Sequence, residues 1–168
     1  MIFGAMAFVS CGDDDDDNKS NGGNGGGNGG EVSVVITPQE LIGTWYGVNE
    51  SSQDAISTFV MHFMDSGAGH YVEYSASAAH NWEMEEGHYM DMSWTLVNNV
   101  LKAKLTKGEK YEWIMGEVIK KYSDNKVRVK RFSDENGTVY DEVDLNRVGS
   151  AQEFEAIINR MIEEKRNK

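Results

Sequence analysis

The sequence has one cysteine and one proline in 168 residues, and its 16 lysines and arginines stand against 28 aspartates and glutamates. A single thiol excludes an internal disulfide. The shortage of positive charge, a formal net charge of -12, argues against a surface built for nucleic acid or anionic lipid. No apolar run approaches the roughly 20 residues that a bilayer-spanning helix needs. Recognisable catalytic chemistry is missing too. No glycine-rich phosphate loop leads from a strand into a helix, and no serine sits in a nucleophile elbow. The four histidines, His62, His70, His80 and His88, lack metal-ligand spacing. His80 and His88 flank "NWEMEEG", an acidic loop whose Glu83, Glu85 and Glu86 are the one candidate carboxylate pair or metal site. No catalytic residue, metal, cofactor or enzymatic activity is expected.

What is present begins with "MIFGAMAFVS", residues 1–10, small and apolar and without charge. That is the hydrophobic part of a secretory signal. No lysine or arginine precedes Cys11, so the start of the natural signal is expected upstream. Phe8-Val9-Ser10 before Cys11 resembles the lipobox of bacterial lipoproteins. The resemblance implies cleavage before Cys11, lipid on its sulfur and an acylated new amino terminus. Several acyl chains anchor stably where one binds only marginally. The run Asp13, Asp14, Asp15, Asp16 and Asp17 is either a solvated tail or an export signal. It resembles the surface-export signal of lipoproteins from Gram-negative gut anaerobes, which implies an outer-membrane lipoprotein exposed at the cell surface. The run lacks the glycine turn and distal glutamate of a calcium-binding EF-hand loop.

"NKSNGGNGGGNGG" follows, a segment unable to bury apolar surface and suited to a flexible tether. Residues 11–36 are therefore anchor and tether, and residues 37–168 one globular domain. The tether holds six acids and Lys19, which leaves 15 basic and 22 acidic residues, a net charge of -7, for the domain. The domain opens with Thr37, Pro38 and Glu40, a capped short helical turn. Strands are expected near Gly43–Ser51, Ala55–Asp65, His70–Ala78, Tyr89–Val97, Val100–Thr106, Tyr111–Tyr122, Lys126–Ser133 and Thr138–Val148. Turn chemistry separates most of them, and no helix intervenes. Neighbours should pair antiparallel, and about eight strands hide their edges by closing into a barrel.

Alternation assigns the faces. Phe59, Met61 and Phe63 share one face, as do Met90, Met92, Trp94 and Leu96, and Leu101, Ala103 and Leu105. In the last strand Val139, Val143 and Leu145 share a face that parity extends to Asp141 and Arg147. Buried charge requires a partner. "GTW" at Gly43-Thr44-Trp45, opening the first strand after a helical turn, resembles the lipocalin signature, over roughly Thr37 to Val148. The likeness is to lipocalin-like domains of bacterial outer-membrane lipoproteins, and implies an eight-stranded up-and-down barrel with Trp45 beneath Arg147 at its closed end. A guanidinium on an indole is a favourable pairing. The family's middle loop motif, disulfide and long first loop are missing.

After the last strand, Ser150 and Glu153 make a second capping pair, and Phe154, Ile157, Ile158, Met161 and Ile162 form a helical stripe. The stripe suits packing on the barrel wall, or a partner. The expected function is a lipid-anchored binding protein that holds a small apolar or amphipathic ligand among Phe59, Met61, Phe63, Met90, Met92 and Trp94, with Asp141 meeting water or a polar end of the ligand. Three flexible methionines in that lining suit a variable guest. The alternative is an interaction module with a filled barrel, a component of an outer-membrane uptake complex or a secreted-protease inhibitor. A ligand site should exceed about 300 Å³.

Overall fold

The computed structural model describes residues 34–132 and 138–167. Cys11 and Asp13 to Asp17 lie outside the described residues. A short helix α1 (Pro38–Leu41) precedes β1 (Gly43–Ser51), β2 (Ala55–Phe63), β3 (Ala68–Ser77), a 3-10 turn (Ala78–His80), β4 (Glu85–Val97), β5 (Val100–Lys107), β6 (Lys110–Ser123), β7 (Lys126–Phe132), β8 (Val139–Val148) and α2 (Ala151–Arg166). Every strand pairs antiparallel with its neighbour in sequence, and β1 also pairs with β8 through Thr44–Val148, Trp45–Arg147 and Tyr46–Asn146. The sheet is a closed eight-stranded barrel.

Local chemistry sets the turns. Asn98 and Asn99 both adopt positive φ, 49° and 64°, as a two-residue hairpin of matching twist requires. At the β2–β3 corner the loop lies two residues earlier than expected, with β2 ending at Phe63 and β3 beginning at Ala68. Gly67 takes φ 77°. Gly69 then sits so close to β2 that a Cβ would lie 2.1 Å from the His62 carbonyl oxygen. A second difference concerns the acidic loop. Glu85 and Glu86 are in β4, opposite Ser75 and Tyr74, so only Glu83 of the three is in the loop. Pairing with β3 satisfies their backbone while their side chains stay exposed.

The barrel's inner core contains Trp45, Phe59, Met61, Phe63, Tyr71, Met92, Trp94, Leu101, Val129, Val143 and Leu145 among others. A second cluster lies outside, where Phe154, Ile158 and Ile162 of α2 cover Ile56, Ala76 and Val148. Full burial of each such side chain contributes about 1.5–3 kcal/mol, so the stripe is a packing face of the domain. Ser150 caps α2 by accepting the Glu153 N–H at 3.1 Å, and the Glu153 carboxylate reaches back to the Gly149 N–H at 2.6 Å.

Thr58, buried between Ile56 and Val60 in β2, has a hydroxyl with no hydrogen-bond partner. An unsatisfied buried hydroxyl costs about 1–3 kcal/mol. Thr58→Val is expected to stabilise the domain by about 1 kcal/mol, read as a higher urea midpoint at unchanged slope. A lower midpoint would mean that the hydroxyl has a partner in solution.

Candidate functional site

The closed end is built on Trp45. Its indole N–H donates to the Leu41 carbonyl at 2.7 Å, fastening α1 across the barrel floor. The Arg147 guanidinium lies 4.6 Å from the indole ring centre and donates to the Ile42 carbonyl at 2.9 Å and to the Glu40 carbonyl. Residues before α1 cross the same end, where Asn99 accepts from the Ile36 N–H at 3.0 Å and donates to the Val34 carbonyl. The Glu40 carboxylate accepts from Lys121 at 2.7 Å and from the Thr37 N–H and hydroxyl. The Lys121 hydrogen bond, with those of Thr37, lowers its pKa from 4.5 to about 2. This contribution to stability is complete above about pH 4.5 and is lost as pH falls toward about 2. The hollow beside Arg147 measures about 50 Å³, too small for an organic ligand.

Above this floor the interior is filled. Phe63 meets Trp94 edge to face at 5.0 Å, and Phe59 stacks on Tyr71 at 5.9 Å. The Trp94 indole N–H is shared between the carbonyls of Ala68 at 2.9 Å and Met64 at 3.2 Å. Met61 and Met92 are buried and Met90 is partly buried against the same core. The cavity lined by Phe59, Met61, Tyr71, Ile114, Val129 and Arg131 among others is about 20 Å³, room for about one water molecule. These side chains pack on one another.

Asp141 also has its partner inside the protein. Arg131, 12% exposed, donates Nε–H to Asp141 Oδ1 at 2.6 Å and a second N–H to Oδ2, and a third to Asn49 Oδ1 at 2.7 Å. Its guanidinium is 5.6 Å from the Phe59 ring centre and 5.0 Å from that of Tyr140. A fork this well matched to a carboxylate leaves Asp141 little capacity for a ligand. Val139, assigned to the inner face by parity, is 45% exposed. The pairing is irregular between Arg131 and Phe132, and an extra residue there ends the alternation.

At the mouth, β3 to β6 form a cleft of about 370 Å³ lined by Glu73, His88, Met90, Lys107, Lys110, Tyr111 and Glu112. Its origin is a parting of the wall. Pairing of β4 with β5 stops at Asp91–Thr106, whereas β4 runs on to Glu85 and the β5–β6 hairpin to Lys107 and Lys110. Glu73 accepts the Tyr71 hydroxyl at 2.7 Å. Burial, then this hydrogen bond, pushes the Tyr71 pKa well above its ordinary range, so the phenol stays a donor.

The other histidines lie elsewhere. Thr44 Oγ1 and His62 Nδ1 are 2.8 Å apart, Tyr89 Oη and His70 Nδ1 2.6 Å apart, and His80 Nδ1 is 3.4 Å from Glu85. Among the described residues no three histidine, cysteine or acidic side chains are placed to hold a metal ion. No family model matches the chain, and no curated protein matches it. The closed eight-stranded antiparallel barrel is consistent with a lipocalin-like fold. The likeness is one of barrel topology and of Trp45 beneath Arg147. The cleft residues were legible only in part, since parity carries the inner face of β4 from Met90 to His88 and that of β6 from Ile114 to Glu112. Nothing in the sequence marks where β4 and β5 separate.

Proposed function

We propose that the chain is a lipid-anchored, non-enzymatic binding protein that recognises its ligand at the barrel mouth, on a core filled by its own side chains. The observation that carries this reading is the contrast between about 20 Å³ inside the barrel and about 370 Å³ at the mouth. An apolar guest among Phe59, Met61, Phe63, Met92 and Trp94 would have to displace packed core, and native-density packing makes that costly. The anchor is Cys11, with Asp13 to Asp17 as its export signal, on the strength of the lipobox resemblance. The location is the outer membrane, exposed at the cell surface. An interaction-module reading also draws support from Tyr111 and Trp113, 62% and 52% exposed on the outer wall of β6. Aromatic side chains are enriched at protein interfaces.

The test has two arms. In the first, fluorescent fatty-acid and porphyrin-like probes are titrated into the folded protein with Trp94 emission as the signal. No saturable quenching is expected, whereas saturable quenching lost in Met92→Glu would restore a ligand site inside the barrel. In the second, Cys11→Ala is expected to move the protein from the membrane to the soluble fraction. Replacing Asp13 to Asp17 with asparagine should keep it on the membrane but reduce its exposure to protease added to intact cells. A Cys11→Ala protein that still pellets with membrane would remove the lipid anchor from this reading.

A further inference from the structure

The mouth cleft holds charged groups of both signs. Lys107 and Lys110 are direct cross-strand partners at the tip of the β5–β6 hairpin, and both line the cleft. Like charges directly opposite one another destabilise a hairpin. Lys121 has acidic partners in Glu40 and Asp124, and Lys126 has one in Asp144. Among the described residues neither Lys107 nor Lys110 has one. Glu112 lies two residues beyond Lys110 on the same strand face, opposite Leu105, and is likewise without an ionic partner among the described residues. The remaining carboxylate, Glu73, is engaged by the Tyr71 hydroxyl at 2.7 Å. Met90 supplies apolar surface to the same cleft.

A plain organic anion would suit the lysines but face Glu112, and a plain cation would have the reverse difficulty. The formal charges of Lys107, Lys110, Glu73 and Glu112 cancel, so the cleft as a whole attracts neither sign. It does offer two separate poles. We propose that the cleft binds a small zwitterion with an apolar body, its anionic group held by Lys107 and Lys110, its cationic group by Glu112, and its apolar part by Met90. This rests on the mouth being the binding end of the barrel. The class includes α-amino acids and short peptides with free termini. Charge pairing of this kind adds specificity more than affinity, because a ligand lacking one charge leaves a protein charge unmatched.

The test uses the full chain and three probes of one shape: phenylalanine, N-acetyl-phenylalanine and phenylalanine amide, followed by the Met90 methyl resonance. Phenylalanine should shift it saturably, and each blocked probe should bind about tenfold more weakly. Lys107→Gln with Lys110→Gln should abolish the preference for the free carboxylate while leaving the preference for the free amine. Glu112→Gln should do the opposite. Melting temperatures should stay the same, or rise for the lysine variants, because the like-charge pair is relieved. Equal binding of all three probes, or discrimination that survives these substitutions, overturns the zwitterion assignment and leaves the mouth as an uncharged-ligand site. A Met90 methyl that none of the three probes moves overturns it together with the mouth as a small-molecule site.

Discussion

Trp45→Ala is expected to lower the unfolding free energy by about 3–5 kcal/mol, the usual loss for a buried large aromatic. Trp45 is 0% exposed, so the full transfer and cavity terms apply. Two further losses accompany them. The Leu41 carbonyl would lose its donor, now 2.7 Å away, and Arg147 would lose the ring 4.6 Å from its guanidinium. Arg147 already has one unpaired buried nitrogen, Nε. The β1–β8 seam that closes the barrel runs through this same pair. Small domains are stable by about 5–15 kcal/mol, so the substitution consumes a large part of the total. Urea unfolding followed by far-ultraviolet dichroism measures it. Trp45→Phe separates the terms, because it keeps a ring beneath Arg147 but loses the indole N–H. A loss under about 1 kcal/mol for Trp45→Ala would show that the closed end does not depend on this residue.

The second large effect is expected from Asp141→Ala, which leaves the Arg131 guanidinium without its counterion between two rings. Hydrogen bonds to charged groups contribute about 1.5–3 kcal/mol, and the Arg131 side chain is only 12% exposed. Asp141 is more accessible, at 36%, so solvent softens the loss to about 2 kcal/mol. The decisive comparison is with Arg131→Met combined with Asp141→Leu. Removing one partner of a buried pair destabilises strongly, whereas replacing both with apolar residues of similar size is often neutral. The double variant should therefore recover most of the loss, and a mutant cycle gives the coupling. If the double variant is as unstable as the sum of the two changes, the pair contributes nothing as a pair. Recovery would also mean that the charge at Asp141 serves the barrel and not a ligand.

The eight strands were legible because alternation is a property of the backbone. Successive side chains point to opposite faces, so Met92, Trp94 and Leu96 announce an inner face without any knowledge of their neighbours. The two capping sequences located α1 and α2 for a similar reason, since a cap acts within three or four residues. Arg131 shares parity with Val127 and Val129 and opposes Asp141. The ingredients of that pair were thus in the sequence, but the register of β7 against β8 was not. A one-residue change in pairing exchanges every partner, and the irregularity between Arg131 and Phe132 is a change of that kind. Val139 was misassigned to the inner face on the same account.

By itself, the sequence determined an all-β domain with a C-terminal helix, because alternation and capping act over a few residues. Only the tertiary structure decided whether the barrel is empty. Apolar side chains at alternate positions serve a closed core and an open pocket equally well, and the difference lies in how Phe59 meets Tyr71 and Phe63 meets Trp94 across the interior. The mouth cleft was likewise a tertiary decision. It exists because β4 and β5 part beyond Asp91 and Thr106, and the distance between two strands is set by the curvature of the whole sheet and by no single residue in it.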